Sequence, residues 1–324
     1  MVNIDLQKFA EALNPNTTTQ TGSGKEMSVQ MKTFYDKVVI KNAVPNLVHD
    51  QFGQKKPIPK NGGKTIEFRR LNPFPKVTTA LTEGVTPDGS YLDWSKVTAT
   101  VSQYGNYVTT SDLLDMTAID NNITEAGRIL GDQAGLSLDG VVREVLNAGT
   151  NVQYGDGSKS SRSAVASTDV MSVQVIKRAV TTLKRMNAKP INGDYVAIIH
   201  PDVAYDLMSD EKWEALNTYN PKNYYAGEIG RLCGVRFVET SEAKIFTGAG
   251  ASGIDVYSTL ILGADAYGTT EIEGGGLQMI VKNRGSAGTA DPLDQRSTVG
   301  WKATKTACIL TDAFMVRIET ASAY

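Results

Sequence analysis

The run Asn122–Gly149, NITEAGRILGDQAGLSLDGVVREVLNAG, decides how the rest of the chain is read. Its apolar residues Ile123, Ala126, Leu130, Ala134, Leu138, Val141 and Val145 recur in steps of three or four, the spacing that places them on one face of a helix. Asn122 stands where it can cap the first turn with Glu125 reaching back to it, and Gly149 where a left-handed residue ends a helix. At about 1.5 Å per residue such a helix is roughly 40 Å long, far beyond the three turns usual in globular domains. Gly127, Gly131 and Gly135 recur every fourth residue, each costing about 1 kcal/mol relative to Ala. The compensation to expect is another backbone laid flat along the glycine stripe, too close to admit side chains. A helix that bends at tolerated glycines is the alternative.

Working outward, composition bounds the class. The 324 residues can bury one large or two medium cores, and 41% hydrophobic and 21% charged residues with a net charge of -2 exclude disordered and collagenous chains. No apolar run reaches the length of a membrane-spanning helix, and Asp5 and Glu11 interrupt the N-terminus where a signal peptide needs an apolar core. The expectation is a soluble protein made in the cytoplasm. Cys233 and Cys308 stand far apart with no CxxC partner or adjacent His, so they read as small buried thiols, neither a disulfide scaffold nor a metal site. The charge is uneven: residues 25–76 hold 11 Lys+Arg against 4 Asp+Glu, and residues 77–324 hold 21 against 29. A basic quarter suits either nucleic acid or the acidic body of another copy.

Before the long helix, residues 14–24 (NPNTTTQTGSG) have linker composition, and residues 28–43 read as an amphipathic helix with Met31, Phe34 and Val38 on its apolar side and Tyr35 at its border, an arm ending before Pro45. Lys64–Leu71 and Ser95–Thr110 alternate as strands, through Ile66 and Phe68 in the first and Val97, Ala99 and Val101 in the second, and can pair as a long hairpin. Between them lies the excursion 72–94 (NPFPKVTTALTEGVTPDGSYLDW), with three prolines and the turn pair Asp88-Gly89. It carries Phe74, Val77, Leu81, Val85, Tyr91, Leu92 and Trp94, more apolar groups than a projecting loop can bury on itself. These groups need a surface from outside, or else the excursion folds back on its own domain.

After the helix, residues 150–168 read as a polar Gly/Ser-rich surface loop. Helices fit 172–188 and a segment opened by Pro201, and strands fit 194–199, 235–239, 255–262, 277–282, 299–310 and 313–320, with a second short extended run ending near Phe246. Helices mixed with mostly antiparallel strands give an α+β chain with no parallel doubly wound sheet.

A search for chemistry finds little. His49 and His200 form no metal-binding pair, and His200 before Pro201 suits a structural hydrogen bond. Gly22-Ser23-Gly24-Lys25 fails as a phosphate loop, because Thr19 replaces the first glycine and Glu26 follows the lysine. Asp210-Glu211 and Glu271 with Glu273 read as solvated carboxylates, Asn16-Thr17-Thr18 lacks a secreted context, and Tyr219, Tyr224 and Tyr225 suit packing at an interface better than base stacking. No catalytic, cofactor-binding or metal-ligating residue is assigned.

The order of parts, an amphipathic arm, a projecting hairpin, a long helix, a mixed domain and closing strands, resembles the major capsid proteins of tailed bacteriophages, with the Hong Kong 97 fold. NAVPNLVHDQFGQKKPIPKNGGKTIEFRR (42–70), GEIGRLCGVRFVETSEA (227–243) and DPLDQRSTVGWKATKTACIL (291–310) are similar to the capsid family named for the coat protein of the short-tailed phage N-four. The resemblance implies an N-terminal arm at 1–54, an E-loop hairpin at 55–110, a P-domain with its spine helix at 111–149, an A-domain at 150–277 and closing strands at 278–324. It implies a non-enzymatic subunit, assembled in a bacterial cytoplasm, whose hexamers and pentamers close into an icosahedral virion shell around double-stranded DNA. Separate scaffolding, portal and decoration proteins would be partners, since the residues before Ser28 are too few for a fused scaffold. Phe34, Phe74, Val77, Leu81, Val85, Tyr91 and Trp94 are then the candidate inter-subunit contacts, and Lys32, Lys37 and Lys41 face DNA or a neighbour. No lysine and asparagine pair for cross-linking is identified. The alternatives are an encapsulin-like nanocompartment around protein cargo and, from another class, a soluble α+β enzyme.

Overall fold

A computed structural model describes residues 48–72, 74–117, 122–213, 230–286 and 291–324, with only the backbone of 122–124. In chain order the elements are β1 (Gln54–Lys55), β2 (Thr65–Leu71), β3 (Trp94–Thr100), β4 (Ser102–Ser111), α1 (Asp112–Thr117), α2 (Asn122–Leu146), β5 (Val152–Tyr154), α3 (Val173–Arg185), β6 (Tyr195–Ile199) and α4 (Pro201–Met208). There follow β7 (Arg231–Leu232), β8 (Val235–Glu239), β9 (Ile245–Phe246), β10 (Val256–Leu262), β11 (Tyr267–Thr270), β12 (Gln278–Lys282), β13 (Arg296–Ile309) and β14 (Met315–Thr320). The mixture is α+β, as its periodicities indicate. The expected arm helix at 28–43, with Phe34, Lys32, Lys37 and Lys41, lies outside the described residues, as do Gly22 to Lys25, Asn16 and Tyr219, Tyr224 and Tyr225.

The chain divides into two compact units, whose described parts are 103–139 with 274–305, and 48–102 with 140–273 and 306–324. In the first, β12 runs antiparallel to β13 from Gln278↔Lys302 to Lys282↔Thr298, and β4 also pairs with β13. Val299, Trp301 and Ala303, with Tyr104 and Val108, pack against Leu130, Ala134 and Leu138 of α2. The expected apolar face of the helix is therefore real over these turns.

In the second unit a sheet runs in the order β5-β14-β10-β6-β8-β7, with β9 on β10. All five residues of β6 are buried, because helices cover both faces of the sheet. Ala197, Ile199, Ile261, Val316 and Ile318 meet the apolar sides of α3 and α4. Their neighbours Ile198, Leu260, Leu262 and Met315 point the other way, onto Val142 and Leu146 of α2. The ends of α3 explain its limits. Ser172 caps it by accepting from the Val175 N–H, and past Met186 the left-handed Asn187 (φ +54°) lets the Ala188 N–H reach the Leu183 carbonyl at 3.0 Å, a Schellman ending.

Several expectations are corrected. Helix α2 stops at Leu146, three residues early, and its last buried positions are Val142 and Leu146, with Val141 and Val145 on the flank. Steps of four from Leu130 through Ala134 and Leu138 continue to 142 and 146, so the seam keeps one stride. Gly149 is not left-handed. A Cβ there would lie 2.6 Å from Met315 Cε and 2.8 Å from Asp312 Oδ1, so packing requires the glycine. Among the described residues nothing lies within 4 Å of a Cβ built at Gly131, and only Val299 Cγ1, at 3.9 Å, lies near one at Gly127. The Glu125 carboxylate accepts from Arg128 Nε at 3.2 Å, while the expected cap at Asn122 involves a side chain that is not described.

The single strand expected at 95–110 breaks at Val101, whose N–H donates to the Lys64 carbonyl at 2.9 Å; beyond it β4 leaves β2 for β13. The segment read as a surface loop holds β5, parallel to β14 from Val152↔Arg317 to Tyr154↔Glu319. Its Gln153 is buried and donates to the Val175 carbonyl at 3.2 Å. Cys308 is a buried thiol, but Cys233 is only half-buried, on a turn at φ +54°. Short β1 and β11 were not expected; they pair parallel, Gln54↔Gly268 and Lys55↔Thr269.

Candidate assembly surface

The hairpin of β2 and β3 is fixed at its base. Its register runs from Thr65↔Thr100 to Leu71↔Trp94, so alternate residues share a face, and Phe68 and Ala99 on that face are buried with Cys308. Arg70 donates to Thr311 Oγ1 at 2.7 Å, and its guanidinium stands 5.5 Å from the centre of the Phe314 ring. The Lys56 ammonium lies 5.6 Å from the Phe68 ring. Charged stems cover the aromatic base while their heads stay wet.

Past the base the strands close in a neck. The Asn72 N–H donates to the Asp93 carbonyl at 3.0 Å, the Asn72 side chain donates to the Asp93 carboxylate at 2.7 Å, and Ser95 Oγ donates to Asn72 Oδ1 at 3.2 Å. From this neck the excursion leaves as irregular chain. Its turn sits at Glu83-Gly84, where Gly84 takes φ +76° and the Val85 N–H donates to the Thr82 carbonyl at 3.2 Å; Asp88-Gly89, expected to turn, does not. Val77, Leu81 and Tyr91 are 84%, 75% and 94% exposed, and Phe74, Val85, Leu92 and Trp94 are each more than half exposed. Seven large apolar side chains thus share one limb, each left more than half uncovered by the described residues.

The first unit has an exposed apolar face that sequence reading missed. All five residues of β12 are exposed, Met279, Ile280 and Val281 among them, and β12 ends its sheet. The sequence reading places a strand at 277–282 without assigning its exposure; the available signal was position, since a strand between the glycines at 274–276 and the polar loop at 283–296 belongs at an edge. A cavity of about 610 Å³ lies beside it, lined by Tyr107, Ile280, Lys282, Arg296, Thr298 and Trp301 among others.

Groups that could have been catalytic are tied into structure. His200 Nδ1 accepts the Asp202 N–H at 3.2 Å and caps α4, the structural role expected of it. Asp210 accepts the Val173 N–H at 2.8 Å at the start of α3 and the Lys212 N–H at 2.8 Å. Glu271 and Glu273 are exposed, and their backbone bonds Ile58. His49 is buried in the second unit, its carbonyl accepting the Tyr267 hydroxyl. Burial pushes the Tyr257 hydroxyl up to about 12, helped by the Asp202 carboxylate, and burial likewise raises Asp206 and the Cys308 thiol. Among the described residues no group of three or more His, Cys, Asp or Glu could hold a metal ion.

A family model described as phage capsid protein matches residues 95–317. No curated protein matches the sequence. Among solved structures, the capsid of the cyanophage P-SCSP1u superposes with a TM-score of 0.70 at 12% identity, over 97% of this chain and 100% of that one. The capsid of Ralstonia phage GP4 gives 0.69 at 17% identity, over 95% and 99%. An encapsulin of Synechococcus elongatus gives 0.55 at 8% identity, over 92% and 95%.

Proposed function

Because the chain belongs to the phage capsid protein family, we propose that its copies close, as hexamers and pentamers, into an icosahedral shell around double-stranded DNA. It is a major capsid protein of the tailed-phage type, a structural component of the virion shell with the Hong Kong 97 fold. One observation carries the finer reading. The limb at 72–94 projects seven large apolar side chains that the described residues leave more than half exposed, and a neighbouring copy covering them would gain about 25 cal/mol per Å² of apolar surface.

On this reading 1–54 is the arm, 55–110 the E-loop, 111–149 the P-domain with its spine, 150–277 the A-domain and 278–324 the return to the P-domain. Phe34, Phe74, Val77, Leu81, Val85, Tyr91 and Trp94 touch neighbouring copies. The glycine stripe of α2, open at Gly131 among the described residues, takes the backbone of another copy. Lys32, Lys37 and Lys41 face DNA or a neighbour's acidic surface. Scaffolding, portal and decoration proteins join during assembly in a bacterial cytoplasm, and the subunit performs no catalysis.

Light scattering on the purified chain tests the shell: particles of megadalton mass are expected, and a stable species near 34.9 kDa overturns the reading. The encapsulin likeness supports a second reading, a compartment around protein cargo. Nuclease-protected nucleic acid inside particles made in cells decides between them.

A further inference from the structure

Residues 170–193 contain five cations, Lys177, Arg178, Lys184, Arg185 and Lys189, and no Asp or Glu, in a chain whose net charge is -2. Helix α3 explains their arrangement. It buries Val173, Val175, Ile176, Ala179, Val180 and Leu183 against the sheet, so positions 177, 184 and 185 fall together on the opposite face, Lys177 and Lys184 about 10 Å apart along the axis. All five cations are exposed. Arg178 is held, donating to the Asp156 carbonyl at 2.7 Å. The side chains of Lys177, Lys184, Arg185 and Lys189 make no ion pair with any described residue.

Elsewhere in the same unit several cations are matched, although Lys60, Lys64 and Lys76 are also exposed and make no ion pair with any described residue. Arg143 pairs with Glu144 at 2.9 Å and Glu242 at 3.3 Å, Lys244 with Glu144 at 2.8 Å, Arg231 with Asp194 at 3.2 Å and Lys55 with Asp50 at 3.2 Å. Attraction to the helix C-terminus accounts for Lys184 and Arg185 in the last turn; it fades within that turn and does not reach Lys177.

We propose that the exposed face of α3 contacts the phosphate backbone of the nucleic acid inside the shell, so that this side of the second unit faces the lumen; the proposal rests on the shell reading above. A polyanion fits better than an acidic protein surface. The face has charge, and within 170–193 Met186 at the helix end is the one exposed large apolar side chain, too little to make the apolar or aromatic centre on which protein interfaces depend. Its hydroxyls are also occupied, Thr181 and Thr182 donating to the Lys177 and Arg178 carbonyls at 2.8 and 3.2 Å. What remains is a set of cations that can neutralise phosphates without reading bases.

The test measures binding of the purified full chain to a short mixed-sequence duplex between about 50 and 200 mM salt. The comparison variant carries K177Q, K184Q, R185Q and K189Q, and a second variant, K177R, K184R and K189R, keeps the charge. In the glutamine variant the slope of log affinity against log salt is expected to become shallower by about 0.9 for each cation that meets a phosphate, up to about 3.6; the arginine variant keeps the parent slope. An unchanged slope in the glutamine variant overturns the proposal. So does a slope unchanged while a polyglutamate competitor loses its hold, which would make the face a protein contact. Light scattering on the same samples separates the two readings. If the parent chain forms no particles the shell reading fails, and the slope comparison still decides whether this face binds duplex.

Discussion

Within the second unit two groups of apolar residues meet opposite fates. Ile198, Ile261 and Leu262 sit in a sheet covered by α2 on one face and by α3 and α4 on the other, and at most 1% of each is exposed. Val77, Leu81 and Tyr91 belong to the same unit, yet stand almost wholly in solvent. Hydrophobicity does not separate the groups; the presence of a second layer in the same chain does. The difference teaches that the subunit is complete in its core and incomplete at its limb, and it can be attacked from either side.

The most damaging change to the complete side is expected at Glu319, which is fully buried. Arg162 grips its carboxylate at 2.7 and 2.8 Å, and Arg317 Nε lies 2.8 Å away as an ion pair whose angle is too poor for a hydrogen bond. Arg317 also donates to the Asn147 carbonyl just past the end of α2, so one carboxylate helps fix that helix to the sheet. Glu319→Ala strands buried positive charge and should destabilise the subunit by about 3–5 kcal/mol in denaturant titration. A loss below about 1 kcal/mol would mean the site relaxes freely. Next comes Leu260→Ala, which opens a hole between β10 and α2 and should lower stability by about 2–5 kcal/mol; a loss under about 1 kcal/mol would show the two layers to be loosely packed.

Gly131 probes α2 on its open side. No described residue lies within 4 Å of a Cβ there, so Gly131→Ala should stabilise the isolated subunit by about 1 kcal/mol through helix propensity alone. A lower thermal midpoint would reveal a contact within the chain. If another copy's backbone uses the stripe, as proposed, particle yield falls while subunit stability rises, and that opposite movement is the signature to seek.

How much of this was legible in the sequence follows from the same division. The seam of α2 over Leu130, Ala134 and Leu138, the alternation of Phe68 and Ala99, and the uniformly apolar β6 were readable because burial within one chain imposes a period. Gly149 was misread because its constraint comes from Met315 and Asp312, far away in sequence, whereas the capping signal is local. β5 was hidden in a polar stretch because its pairing to β14 is a backbone matter, and Gln153 is buried through a hydrogen bond to α3. The exposed β12 was invisible for the opposite reason, since an apolar run looks the same whether its own chain or another covers it. The excursion could be read only because its prolines forbid a strand while its apolar content demands cover.

The smallest effect on the subunit is expected where the effect on the shell is greatest. Val77→Ser, Leu81→Ser and Tyr91→Ser together remove three side chains that touch little in their own chain, so denaturant midpoints should move by no more than about 0.5 kcal/mol. The neck at Asn72 and Asp93 and the base at Phe68 and Arg70 are untouched, so the limb keeps its anchor. What changes is the apolar surface a neighbour could cover, worth about 25 cal/mol per Å² at each repeated contact. Because every copy carries the same loss, particle yield should fall steeply at concentrations where the parent chain assembles. Normal particles from this variant would remove the limb from the interface, and a large fall in subunit stability would mean that its own chain shelters it after all.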